Sequence, residues 1–94
     1  MIKTMDELKQ VNRRWFKPKQ LKFFHTEIES PLKDGYFITS DKTKGMPKKR
    51  YTVRKVREDG SIKTAGLFLE HDTKDVAHGA MNKLIEKDKL MEMF

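Results

Sequence analysis

Apolar positions change period along the chain, from helical spacing at both ends to a two-residue alternation in the middle. The longest helical stripe is Val76, Ala77, Ala80, Met81, Leu84 and Ile85, spaced i, i+1, i+4, i+5, i+8 and i+9, which is one helix face. Asp72 or Thr73 precedes it as N-cap, so a terminal helix is expected over residues 74–87. Leu90, Met91, Met93 and Phe94 carry apolar content further, as a flexible or docking tail over residues 88–94. At the other end, Thr4 with Glu7 three residues on forms a capping box, and Leu8 and Val11 follow it in a short helix over residues 5–13. Lys17-Pro18 predicts a restart, because proline suits a first helical turn and restricts the residue before it. A second short helix over residues 18–25 then directs Leu21 and Phe24 one way, with Phe23 beside them.

Between these ends the pattern alternates. Residues 25–29 form a short edge strand ended by Ser30-Pro31, and Asp34-Gly35 turns the chain into a strand over residues 36–41. Residues 42–49, KTKGMPKK, hold glycine, proline and almost nothing apolar, which predicts a mobile basic loop. Residues 50–68 then read as a hairpin about Asp59-Gly60, since glycine accepts positive φ and aspartate tolerates it. With a two-residue loop, Val56 faces Lys63, Arg54 faces Ala65 and Tyr51 faces Phe68. That register puts Tyr51, Val53, Ile62 and Phe68 on one face, and Thr52, Arg54, Val56, Lys63, Ala65 and Leu67 on the other. The expected fold is a single α+β domain, residues 1–94. It has an antiparallel three- to four-stranded sheet, short N-terminal helices and a C-terminal helix packed on the Tyr51, Val53, Phe68 face. The opposite face is expected to be open, although Val56, Ala65 and Leu67 on it invite cover by the aromatic N-terminal segment.

Charge gives that second face a use. Lys and Arg number 21 against 14 Asp and Glu, a net charge of +7, which favours polyanionic partners. Residues 9–22 hold six cations and no acid, residues 42–63 hold nine cations against two acids, and residues 70–94 reverse the sign. A basic sheet face beside a lysine-rich loop suits nucleic acid, because Lys and Arg release condensed counterions and a two-stranded ribbon fits the major groove of duplex DNA. The candidate contacts are Lys44, Lys48, Lys49, Arg50, Arg54, Lys55 and Lys63, with Arg54 able to read guanine bidentately. Solvated charge on an exposed strand is the plainer reading of the same residues. Trp15, Phe16, Phe23 and Phe24 among Arg13, Arg14 and Lys19 offer either a stacking platform for single strands or, more commonly in so polar a chain, core.

Other chemistry finds no support. Cysteine is absent, which excludes disulfides and thiolate metal sites. His25, His71 and His78 lack metal-ligand spacing, and no nucleophile elbow or phosphate loop is present, so neither an enzyme nor a cofactor is expected. No signal-type or membrane-spanning run occurs, so the expected setting is cytoplasmic, as a monomer or small homo-oligomer.

Two resemblances bear on these expectations. The segment RYTVRKVREDGSIKTAGLFLEHDTKDVAHGAMNKL resembles the β-β-α part of the arm-binding domains of phage and transposon integrases, which implies DNA binding through a three-stranded sheet. Its final helix also resembles that of double-stranded-RNA-binding domains, but the glycine and Lys-Lys pair of that family are replaced by a single Lys74. Over nearly the whole length, the pattern ELK, WF, LKFF, YFITS, RYTVR and DGSI is similar to a family of small uncharacterised bacteriophage-encoded proteins. That resemblance implies a phage accessory protein at work inside a bacterial cell, binding either DNA or a host protein that it modulates.

Overall fold

The structure, a computed structural model, describes residues 2–23 and 25–93. In chain order the elements are α1 (Met5–Val11), α2 (Pro18–Phe23), β1 (Thr26–Ile28), β2 (Tyr36–Asp41), β3 (Arg50–Val56), β4 (Ile62–Thr64) and α3 (Lys74–Glu92). The strands form one antiparallel sheet in the order β1-β2-β3-β4. The α+β class is as expected, with four strands from the expected three to four; the orientation expected for Phe24 and the tail expected at Phe94 lie outside the described residues.

The helix ends form where the caps predict. Thr4 Oγ1 accepts from the Glu7 N–H at 3.2 Å, as an N-cap does, and its hydroxyl donates to the Glu7 carboxylate at 3.2 Å. α1 stops at Val11, where the Asn12 side chain turns away to donate to the Gly60 carbonyl at 2.9 Å and ties the helix to the hairpin tip. Thr73 caps α3 by accepting from the Val76 N–H. The helix continues through residues 88–92, so most of the expected tail is its last turn, with Leu90 and Met91 exposed.

α3 covers one sheet face. Ala77, Met81 and Ile85, a row spaced by four, meet Tyr36, Ile38 and Val53, and all six are buried. Val76 at the margin of the stripe is 55% exposed, so the working width of the helix face is narrower than the sequence pattern. Among the described residues no helix is long and apolar enough to cross a membrane.

Two expectations about the hairpin are corrected. The loop has three residues: the Gly60 N–H returns to the Arg57 carbonyl at 2.9 Å, the Arg57 N–H bonds to the Ser61 carbonyl, and Gly60 sits at φ +87. This is a turn followed by a left-handed glycine bulge rather than a two-residue turn. Arg54 therefore faces Thr64, Lys55 faces Lys63 and Val56 faces Ile62. The one-residue slip exchanges the faces of β4: Ile62 joins Val56, while Lys63 and Ala65 move to the α3 side. Phe68 lies beyond β4, 56% exposed, and is not part of the α3 core.

The second correction concerns the face opposite α3, which is not open. Leu8, Leu32 and Phe37 form a second buried cluster there, with Trp15, Phe16, Ile28, Val56 and Ile62 packed around it. The N-terminal segment folds over this end of the sheet because Phe37 and Val56 present apolar surface that must leave water. Each such side chain contributes about 1.5–3 kcal/mol when fully buried. Trp15 meets Phe16 and Phe37 edge-on at 4.8 and 5.8 Å, which makes those two N-terminal aromatics core.

Candidate nucleic-acid interface

The far end of that covered face is polar, because the alternation of β2 and β3 sends Thr39, Asp41, Thr52 and Arg54 to the side that holds Phe37 and Val56. Each polar group needs a partner there. Arg54 donates from Nε to Thr39 Oγ1 and from one terminal nitrogen to Thr64 Oγ1, both at 3.0 Å. Its guanidinium lies 5.8 Å from the Trp15 ring and 5.4 Å from the Phe68 ring. Thr52 Oγ1 accepts from the Leu69 N–H, which fixes the segment after β4 over this end of the sheet. Burial pulls the Arg54 pKa below its ordinary value, against the opposing charge of Asp41.

Asp41 is the exception. It is 3% exposed, and its Oδ2 accepts from Thr26 Oγ1 at 2.9 Å, but Oδ1 is buried with no hydrogen-bond partner. Burial raises its pKa, offset in part by the Thr26 hydroxyl and by the charges of Arg54 and His25. Asp41 and Arg54 feel each other's charge without a direct ion pair, and between them opens a cavity of about 180 Å³ walled by Trp15, Leu21, Thr26 and Phe68.

A second groove, about 370 Å³, shares Leu21 and Thr26 with that cavity and is lined further by Lys22, His25, Lys42 and Lys49. His25 is held at φ +53, an uncommon conformation for a side-chain-bearing residue. Lys22 and Lys42 are exposed there and have no partner among the described residues. The cavity thus has aromatic walls and a buried acid, and the neighbouring groove, which also takes in Glu27 and Ser40, carries the two cations.

Most of the seven sequence-derived candidates are placed otherwise. Lys48 pairs with Asp72 at 2.6 Å, and Lys49 with Glu27 at 2.7 Å and Glu29 at 3.7 Å. Arg50 donates to the Leu69 and Glu70 carbonyls and to Asp72. These bonds lower the Asp72 and Glu27 pKa values, through Lys48 and Lys49 respectively, and anchor the end of the loop expected to be mobile. Lys55 reaches Asp88 at 3.5 Å and lies over the Tyr36 ring, whose hydroxyl donates to Asp88 at 2.6 Å. Arg54 is built into the cavity wall. Of the seven, Lys44 and Lys63 are exposed and have no side-chain partner among the described residues.

Among the described residues, the cations without a side-chain partner include all six of residues 9–22, Lys9, Arg13, Arg14, Lys17, Lys19 and Lys22, together with Lys42, Lys44 and Lys63, as well as Lys3, Arg57, Lys83 and Lys87. The sequence pointed to Trp15 and its basic neighbours but not to Asp41, whose only signal was an acid closing an otherwise uncharged strand, YFITSD. Among the described residues no group of three or more His, Cys, Asp or Glu is placed to hold a metal ion.

One protein-family model matches residues 1–82, and its description is a family of unknown function. No curated protein and no solved structure matches. Neither the phage resemblance nor the integrase resemblance finds support in these comparisons.

Proposed function

As the chain belongs to that family, DUF7447, we propose from its own geometry that it binds nucleic acid, and single strands in preference to duplex. The observation that carries this reading is the cavity walled by the Trp15 and Phe68 rings, with a neighbouring groove that shares Leu21 and Thr26 with it and holds Lys22 and Lys42, which have no partner among the described residues. A single strand offers what such a cavity and groove take: a flat base for the rings and a phosphate for the lysines, with base stacking contributing about 1–3 kcal/mol. Duplex DNA is the poorer fit. Both sheet faces are covered, so no ribbon is free to enter a major groove, and four of the proposed groove contacts are engaged with acids or carbonyls. A role inside a bacterial cell, as a phage accessory protein, is the setting that the sequence resemblance implies for this activity.

Trp15 is the only tryptophan, so its emission reports the cavity directly. Titration with a mixed-sequence single strand at low salt is expected to quench that emission. The matching duplex binds more weakly, and added salt weakens both. No binding of either form at low salt overturns the reading.

The other reading, a module that binds a host protein, has its own observation: Leu90, Met91 and Met93 are exposed together at the end of α3. Methionine-rich apolar surface suits an adaptable protein interface. A partner retained from nuclease-treated bacterial lysate, and lost on removing residues 90–94, is the outcome that favours it.

A further inference from the structure

We infer that the Asp41–Arg54 cavity is a selective pocket for a guanine base. The inference rests on the single-strand reading for the source of that base and adds to it a chemical preference. The cavity is below the ~300 Å³ at which pockets for drug-sized ligands begin, so it takes one flat ring system rather than an extended molecule. Trp15 and Phe68 supply the apolar walls, and the planar Arg54 guanidinium extends them.

The hydrogen-bonding groups then choose among flat rings. Asp41 lines the cavity, and its Oδ1 is buried without a donor. A buried carboxylate oxygen left this way is costly, and the broad χ2 torsion of aspartate lets it turn toward a donor seated beside it. Arg54 uses two of its five N–H groups on Thr39 and Thr64, which leaves three to donate. The ligand must therefore present donors to Asp41 and an acceptor to Arg54. Guanine has adjacent N1–H and N2–H donors that match the two oxygens of a carboxylate, with O6 and N7 as acceptors for an arginine. Adenine and cytosine lack that pair of adjacent ring-edge donors, and uracil has one donor between two acceptors. A simple cation is a poor occupant, because the Arg54 guanidinium already lies against both aromatic rings. A strand and a free guanine nucleotide present the same base to this cavity, and the neighbouring groove offers Lys22 and Lys42 to a phosphate of either.

The test is Trp15 quenching of the full chain by GMP, IMP, AMP, CMP and UMP, and by thymidine oligomers carrying one central guanine or adenine. GMP is expected to bind about tenfold more tightly than AMP, CMP or UMP, with IMP, which lacks the 2-amino group, between them. Asp41→Asn is expected to abolish the guanine preference. Phe68→Ala, at a position exposed enough to leave folding intact, weakens every base by about tenfold. Oligomers that bind with no preference for guanine overturn the pocket and leave the single-strand reading standing. Saturable GMP binding without any oligomer binding keeps the pocket, with a free nucleotide as its ligand, and overturns the strand reading.

Discussion

Asp41 is a residue that the fold holds at a loss. Its carboxylate is buried, one oxygen has no donor, and burial raises its pKa above the ordinary aspartate value despite Arg54, His25 and the Thr26 hydroxyl. For an acid whose pKa is higher folded than unfolded, the folded chain holds more protons between the two values. Stability therefore falls as pH rises from the ordinary aspartate range through the raised one, and stays lower above it. Asp41→Asn removes the charge while its amide oxygen still accepts from Thr26. Urea denaturation at pH 7 should show the variant more stable, because the buried position no longer holds a charge. At about pH 3, where the native aspartate is protonated in both states, the gain should vanish. An equal gain at both pH values, or a loss at neutral pH, would contradict burial of the charge as the cause. Little in the pattern leads to this residue, because YFITSD looks like any strand ending in a polar turn, and the cavity beside Asp41 exists only once Trp15, Thr26 and Phe68 arrive from three distant segments.

At the scale of elements, local signals were legible and register was not. Thr4, Glu7 and Thr73 sit in capping geometry because a cap depends on residues within one turn of it. The Asp59-Gly60 pair suits two loops equally, either as the whole of a two-residue turn or as the last two residues of a three-residue one, and the choice shifts every pair in β4. Tertiary packing decides it: the longer loop sets Ile62 opposite Val56 beside the second core, whereas the shorter would set Lys63 there. The chosen register puts Lys55 opposite Lys63, a repulsive pair that Lys55 relieves by reaching Asp88 and the Tyr36 ring. Gly60 makes the loop possible. An added Cβ there would meet Val11 Cγ2 at 2.8 Å as well as an unfavourable positive φ, so Gly60→Ala should cost at least the ~1–2 kcal/mol of a left-handed non-glycine residue. In α3 the same logic separates neighbours on one sequence stripe. Met81→Ala should cost about 2–5 kcal/mol and the exposed Val76→Ala within ~0.5 kcal/mol, as read from chemical denaturation midpoints. Comparable losses at both positions would mean that the helix packs on a wider face than the 77, 81, 85 row.

Over the whole molecule, the +7 net charge is divided by the fold into two populations that sequence spacing cannot tell apart. Lys48, Lys49, Arg50 and Lys55 are drawn to acids on β1, α3 and the segment before α3, and together they fasten the elements around the sheet edge. Among the described residues, the cations of residues 9–22, with Lys42, Lys44 and Lys63, have no partner, and the N-terminal segment itself has no acid between Glu7 and Glu27. Only the second population can release condensed counterions without first breaking an internal pair, so the two should differ in how they set the salt dependence of nucleic-acid binding. Each phosphate contact adds about 0.7 to the slope of log affinity against log salt for a single strand. Lys22→Ala and Lys42→Ala should each lower that slope by nearly this amount and weaken all sequences alike. Lys48→Ala and Lys49→Ala should leave it nearly unchanged and cost no more than the ~1 kcal/mol of stability typical of exposed pairs. The reverse pattern, with the slope falling at Lys48 and Lys49, would return the contact surface to the loop after β2 and separate it from the aromatic cavity.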